Sequence, residues 1–148
     1  MSDSNIEKRT EVTILQFLET AAYLERRLDR ALSATRGISF SEYRLLSALS
    51  SVTGNGIPRI DLANAVGLTA SAVTRALKPL EKIGLVTTLK SERDARQSLA
   101  VITSAGLELL DDAHGVLHDL FKQLFINTLS TAEVTAFQSR LSEIKHPS

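Results

Sequence analysis

Residues 91–106, Ser91-Glu-Arg-Asp-Ala-Arg-Gln-Ser-Leu-Ala-Val-Ile-Thr-Ser-Ala-Gly106, read as a hairpin tip, a strand and a helix start. Glu92, Arg93, Asp94 and Arg96 crowd the tip with charge. Leu99-Ala-Val-Ile102 is a short apolar run, and Thr103 is an N-cap residue type. Val86 to Lys90 supplies the strand that pairs with Gln97 to Ile102. Further upstream, Arg59 to Val86 reads as helix, short turn, helix. Leu62, Ala63 and Val66 give the first helix one apolar face. Gly67 suits a left-handed stop, Leu68 is expected to plug the turn, and Thr69 caps the next helix. There Val73, Leu77, Leu80 and Ile83 share one face, with Ser71, Arg75, Lys78 and Lys82 opposite and Thr74 beside them. Gly84 ends that helix. A helix pair followed by a basic-tipped hairpin is the plan of a winged helix-turn-helix, which sets one helix in a DNA major groove and a loop of arginine beside it.

The flanks are helical. Val12, Leu15, Leu18, Ala22, Leu28 and Leu32 recur near a 3.6-residue period from about Thr10 to Arg36, and Gly37 stops the run. Ser39 with Glu42 has the spacing of a capping box and opens a helix from Phe40 to Val52 that buries Tyr43, Leu46 and Leu49. Thr53-Gly-Asn-Gly56 is a turn, and Ile57-Pro58 leaves room only for a stub of strand. Thr103 opens a helix to about Thr128, and Ser130 with Glu133 caps a last one to about Ile144. Pro79 deletes the bond to the Arg75 carbonyl and is expected to kink or locally unwind its helix, pushing Lys78 from helical dihedrals. The fold class is therefore mainly α with a small β-wing. A winged helix-turn-helix part (residues 38–102) joins a helical dimerisation region built from N- and C-terminal helices (10–36 and 103–146), within one domain (1–148). Leu107, Leu110, Leu117, Leu120, Phe121, Leu124 and Phe125 offer more apolar surface than one short partner helix covers. That excess predicts a two-fold homodimer whose reading helices face successive major grooves.

The chain has 148 residues, within the range of one domain able to bury its own core. It has no cysteine, so disulfides and thiolate metal sites are excluded. No apolar run is long enough for a membrane span, and the N-terminus lacks a secretory pattern, so a cytoplasmic location is expected. The net charge is zero, yet residues 57–97 carry +3 and the remainder −3, which gathers positive charge on the winged segment. There is no Gly-rich phosphate loop, nucleophile elbow or Ser/His/Asp grouping, so neither an enzyme nor a cofactor is expected.

Ser71, Thr74, Arg75 and Lys78 have the chemistry that groove reading needs. Arg bonds a guanine edge in bidentate fashion, and Ser or Thr bonds bases or phosphate. Lys90 and Arg93 suit phosphates, and a narrow minor groove attracts a tip arginine. The stretches Leu62-Ala63…Gly67-Leu68-Thr69, Leu80-Glu81-Lys82…Gly84-Leu85-Val86, Arg93-Asp94-x-Arg96 and Ile102-Thr103-x-x-Gly106 resemble the MarR family of bacterial transcription regulators over nearly the whole chain. The resemblance implies a homodimeric repressor on a near-palindromic operator in double-stranded DNA. It gives Arg96 the minor-groove role and makes Asp94 the holder of its guanidinium. Ser91 stands where the family often has Asp, which removes one partner for arginine at the wing tip. The resemblance also implies relief by a small aromatic or carboxylate effector. Tyr23, Arg26 and Arg27 on the first helix, with Tyr43 and Arg44 on the second, are candidates to bind it. Asp111, His114 and His118 share a helix face at zinc-ligand spacing, but exposed helical histidines are commoner and no metal is expected. The rival reading is a winged-helix interaction module that docks on protein and reads no DNA sequence.

Overall fold

The chain runs α1 (Asp3–Arg36), α2 (Phe40–Ser50), β1 (Ile57–Pro58), α3 (Arg59–Val66), α4 (Ala70–Lys82), β2 (Val86–Lys90), β3 (Ser98–Ile102), α5 (Ser104–Phe125) and α6 (Thr131–Lys145). The computed structural model describes residues 3–52 and 56–146. Four capping residues, Ser39, Thr69, Thr103 and Ser130, set the starts of α2, α4, α5 and α6. Each has extended dihedrals and accepts an amide hydrogen bond from the residue three positions on, satisfying a donor that the helix cannot. At Ser130 the box is reciprocal, with the Glu133 carboxylate accepting from the Ser130 amide at 2.8 Å.

β3 is the central strand of an antiparallel sheet in the order β1-β3-β2. Val86 pairs with Ile102 and Lys90 with Ser98, so the hairpin points its tip away from the core. Proline is tolerated in the stub β1 because that strand lies at the sheet edge. Leu32 of α1, Leu45 and Leu46 of α2, Leu62 of α3, Leu77 and Leu80 of α4, Ala100 of β3 and Ala113 of α5 are all fully buried in one cluster. That cluster unites the winged part with the C-terminal half of α1 and with α5.

Several expectations need correction. α1 begins at Asp3 rather than near Thr10. The Thr10 and Thr13 hydroxyls donate to the carbonyls of Ile6 and Arg9, so both lie inside the helix. Asp3 sits in the first turn, where a negative charge favours the helix dipole. α5 stops at Phe125, where Thr128 and Leu129 amides turn back onto the Phe125 carbonyl. Tyr43 is only half-buried, and Leu45 takes the core position beside Leu46. Leu68 does not plug the helix-turn-helix turn: it is 41% exposed, while Val66 before the turn and Val73 after it are buried. Ile83 is 61% exposed because the chain has left helical geometry there. α4 runs unbroken through Pro79, and Lys78 stays helical. The lost hydrogen bond is outweighed by Leu77 and Leu80, which anchor the helix in the core on either side of the proline. The turn expected at Thr53–Gly56 falls mostly outside the described residues. Gly56 is described, at φ +97° and packed so closely on Ala100 and Val101 that a Cβ would collide.

The first half of α1 and all of α6 stand apart from this core. Every described residue before Ala21, and every residue of α6, is exposed. Val12, Leu15, Leu18 and Ile144 leave exposed apolar surface on these two helices. Phe17 and Phe137, edge to face at 6.2 Å between ring centroids, join the two helices. Among the described residues no helix is long and apolar enough to cross a membrane.

Candidate nucleic-acid interface

The turn between α3 and α4 follows from two residues. Gly67 takes φ +71°, and the Gly67 and Leu68 amides both donate to the Ala63 carbonyl, closing the end of α3. Thr69 then caps α4 through the Ala72 amide at 3.2 Å, leaving the Ala70 and Ser71 amides without intrahelical acceptors. Val73, Leu77 and Leu80 bury one side of α4 completely. Ser71, Arg75, Lys78 and Lys82 are therefore held exposed on the other, with Thr74 half-buried at its edge. Among the described residues none of these cations forms an ion pair.

The wing tip is organised by short polar side chains. The Ser91 hydroxyl accepts from the Arg93 and Asp94 amides, both at 3.3 Å, and the Ser91 amide donates to the Gln97 carbonyl at 3.1 Å. Ser91 thus caps the turn, a role its reading as a lost arginine partner missed. Asp94 accepts from the Arg96 amide at 3.0 Å, so its carboxylate holds the backbone of the tip and not the Arg96 guanidinium. Lys90, Arg93 and Arg96 are exposed, and none forms an ion pair among the described residues.

Arg59 lies within the basic segment but is already engaged. Its Nη2 donates to Glu81 Oε1 at 3.1 Å and to Thr88 Oγ1 at 3.0 Å, while the Thr88 hydroxyl donates to the same carboxylate oxygen at 2.7 Å. The Thr88 bond, then the bond and charge of Arg59 and the charge of Lys78, hold the Glu81 carboxyl below its usual range against the opposing effect of burial. Sequence reasoning missed this group. The signal was Glu81 itself, a carboxylate in the last turn of a helix, where the dipole disfavours it.

The five effector candidates are not gathered in one place. Arg27 donates to the Tyr23 hydroxyl at 2.9 Å and lies over its ring, so both side chains are engaged along α1. Tyr43 stacks on Phe40, and its hydroxyl lies 2.9 Å from His114 Nδ1, linking α2 to α5. Burial pushes the Tyr43 phenol above its usual range. Arg44 bonds the Val66 carbonyl and so closes the end of α3. Of the candidates, Arg26 lines the crevice between α1 and α2, about 510 Å³, together with Arg30, Phe40, Ser41, Ala22, Glu25 and Asp29. Among the described residues no cluster of three or more metal-ligating side chains forms.

The sequence profile of the MarR family matches residues 38–98, from the start of α2 through the wing tip. An uncharacterized HTH-type transcriptional regulator of Bacillus subtilis, YdgJ, is 32% identical over 94 residues, covering 64% of this chain and 56% of that relative's length. Sco3205, a MarR family transcriptional regulator from Streptomyces coelicolor solved in complex with DNA, superposes with a TM-score of 0.84 at 24% identity, covering 91% of this chain and 85% of that one. CouR from Rhodococcus jostii RHA1, solved bound to p-coumaroyl-CoA, superposes with a TM-score of 0.77 at 22% identity, covering 90% and 91%. The profile spans the helix-turn-helix and the wing, so that part of the chain is similar to the MarR family, and the winged helix-turn-helix fold is shared with these solved structures over nearly the whole length.

Proposed function

We propose that this protein is a homodimeric transcriptional repressor that reads a near-palindromic site in double-stranded DNA. The observation that carries the reading is the pair of unneutralised cationic elements on one rigid winged part: Arg75 and Lys78 on α4, and Lys90, Arg93 and Arg96 on the wing. Ser71, Thr74, Arg75 and Lys78 enter the major groove, Lys90 and Arg93 hold phosphates, Asp94 shapes the tip, and Arg96 enters the minor groove. The DNA held by Sco3205 supports this use of the fold. The unpartnered faces of α1 and α6 support assembly through the flanking helices. Relief by an aromatic or carboxylate effector is part of the proposal. The α1–α2 crevice, with Arg26, Arg30 and Phe40 on its walls, has suitable chemistry for one, and the p-coumaroyl-CoA of CouR supports the class.

The test is selection from random duplex DNA at near-physiological salt. A near-palindromic motif with half-sites about one helical turn apart is expected. Binding without enrichment would favour the interaction module instead. Two substitutions sharpen the result. Arg75→Ala should cost about 1–3 kcal/mol on the selected site and relax preference at one position in each half-site. Unchanged specificity would take Arg75 out of the reading set. Arg96→Ala should weaken binding chiefly where the flanks are A·T-rich, measured by comparing duplexes with A·T-rich and G·C-rich flanks. Equal losses on both would show that the tip holds phosphates and does not read groove width.

A further inference from the structure

Arg59 opens α3, Glu81 lies in the last turn of α4, and Thr88 is the middle residue of β2, so their triangle of hydrogen bonds ties three elements at one point. We propose that Arg59, Glu81 and Thr88 are positioning residues that set the distance between the reading helix and the wing, so that recognition at the centre of a half-site and at its flank becomes interdependent. The inference rests on the DNA-reading function proposed above.

Three observations carry it. Among the described residues, the Thr88–Glu81 bond is the one direct side-chain hydrogen bond between α4 and the wing strands, and Arg59 braces both of its ends. Thr88 pairs with Ala100, which is fully buried in the central strand, so the triangle grips the hairpin midway along its ladder, where it is anchored in the core, while the tip extends beyond. Arg59 Nη1 is buried without a hydrogen-bond partner among the described residues. One end of the guanidinium is thus turned inward and the other is held by Glu81 and Thr88, although Arg59 lies within the most basic segment of the chain. The placement of Glu81 fits the same role. At a helix C-terminus a carboxylate opposes the dipole, and here that cost is offset by bonds reaching to the wing.

The full-length protein would be tested with Thr88→Val, which keeps the β-branched shape and deletes the hydroxyl, and with Thr88→Ser, which keeps it. Each would be made alone and with Arg96→Ala. Binding would be measured on duplex pools with a randomised centre and fixed A·T-rich or G·C-rich flanks. Amide exchange of residues 86–102 would be followed without DNA. Thr88→Val is expected to weaken binding to A·T-flanked duplexes by roughly threefold to tenfold, the equivalent of about one hydrogen bond. That loss should vanish in the Arg96→Ala background, because the triangle acts through the tip. Exchange in β2 and β3 should quicken, and Thr88→Ser should behave like the parent. A loss that persists undiminished beside Arg96→Ala would overturn the proposal. If the parent protein shows no flank preference, the DNA reading of the wing fails by itself. Exchange then decides the triangle alone: faster exchange in Thr88→Val upholds the bracing of helix and wing, and unchanged exchange overturns it.

Discussion

Leu18→Asp is expected to leave the protein monomeric at micromolar concentration and to weaken its DNA binding by roughly a hundredfold or more. The side chain is 56% exposed in the protomer, on the stretch of α1 that touches none of the core. A helix of 34 residues whose first half is wholly exposed, with Phe17 against Phe137 of α6, is short of the tertiary contacts that stabilise most protein helices. Val12, Leu15 and Leu18 are what a second copy would cover, with the exposed apolar face of α6 beside them. A carboxylate in that seam would be buried without a partner, which costs about 3–5 kcal/mol when a charge is left uncompensated. Because the position lies outside the core cluster, the winged part should fold as before, as circular dichroism would show. Sedimentation equilibrium gives the direct measurement. A Leu18→Asp protein that remains a dimer would move the interface elsewhere, and a monomer with undiminished affinity would mean that each protomer binds DNA alone.

Gly106→Ala is expected to cost about 1–3 kcal/mol or more, lowering the melting temperature by roughly 3–10 °C at matched protein concentration. Gly106 lies in the first turn of α5 and is buried where that turn meets the start of the wing. A Cβ there would collide with the Leu85 carbonyl oxygen and come within 2.7 Å of Ile102 Cγ1. The carbonyl cannot yield cheaply, because it accepts the Thr103 amide at 3.0 Å. Thr103 also donates from its hydroxyl to the Gly84 carbonyl at 2.6 Å while capping α5 through the Gly106 amide. Displacing the backbone would thus break several bonds at once. An unchanged melting temperature would show that the joint opens without cost. Gly115, where an added Cβ would meet nothing within 4 Å, is the control position on the same helix.

Where a helix cap or a turn depends on residues within a few positions of one another, the sequence reads true. Gly67 and Thr69 turn the chain by local chemistry, and the caps at Ser39, Thr103 and Ser130 do the same. The winged plan was legible because the apolar period of α4 and the pairing of β2 with β3 both leave local traces. What failed was local rules meeting tertiary packing. Pro79 should break a helix, but Leu77 and Leu80 are sunk in the core and hold it. Ile83 continues the apolar period on paper but lies past the last helical residue. The polar stretch ahead of Thr10 has little apolar period to announce a helix, yet α1 extends through it. The Arg59–Glu81–Thr88 triangle joins residues 22 and 7 positions apart, and no periodicity marks it. For the site, residue type and exposure on α4 were readable. The geometry around Asp94, Tyr23 and Tyr43 was not, because small polar and aromatic side chains choose partners that depend on the finished backbone.

The bonding of Thr103 and the contact at Gly106 leave no slack between the wing and α5. With 22 residues, α5 is a rod about 33 Å long, so a tilt of about 5° about its far end carries the wing junction through about 3 Å, close to the 3.4 Å rise of one base pair. In the two-fold assembly proposed above, the spacing of the two reading helices would then be set by the crossing angles of helices remote from them. A small wedge between α1 and α2 would act on it as a finger acts on the short arm of a lever.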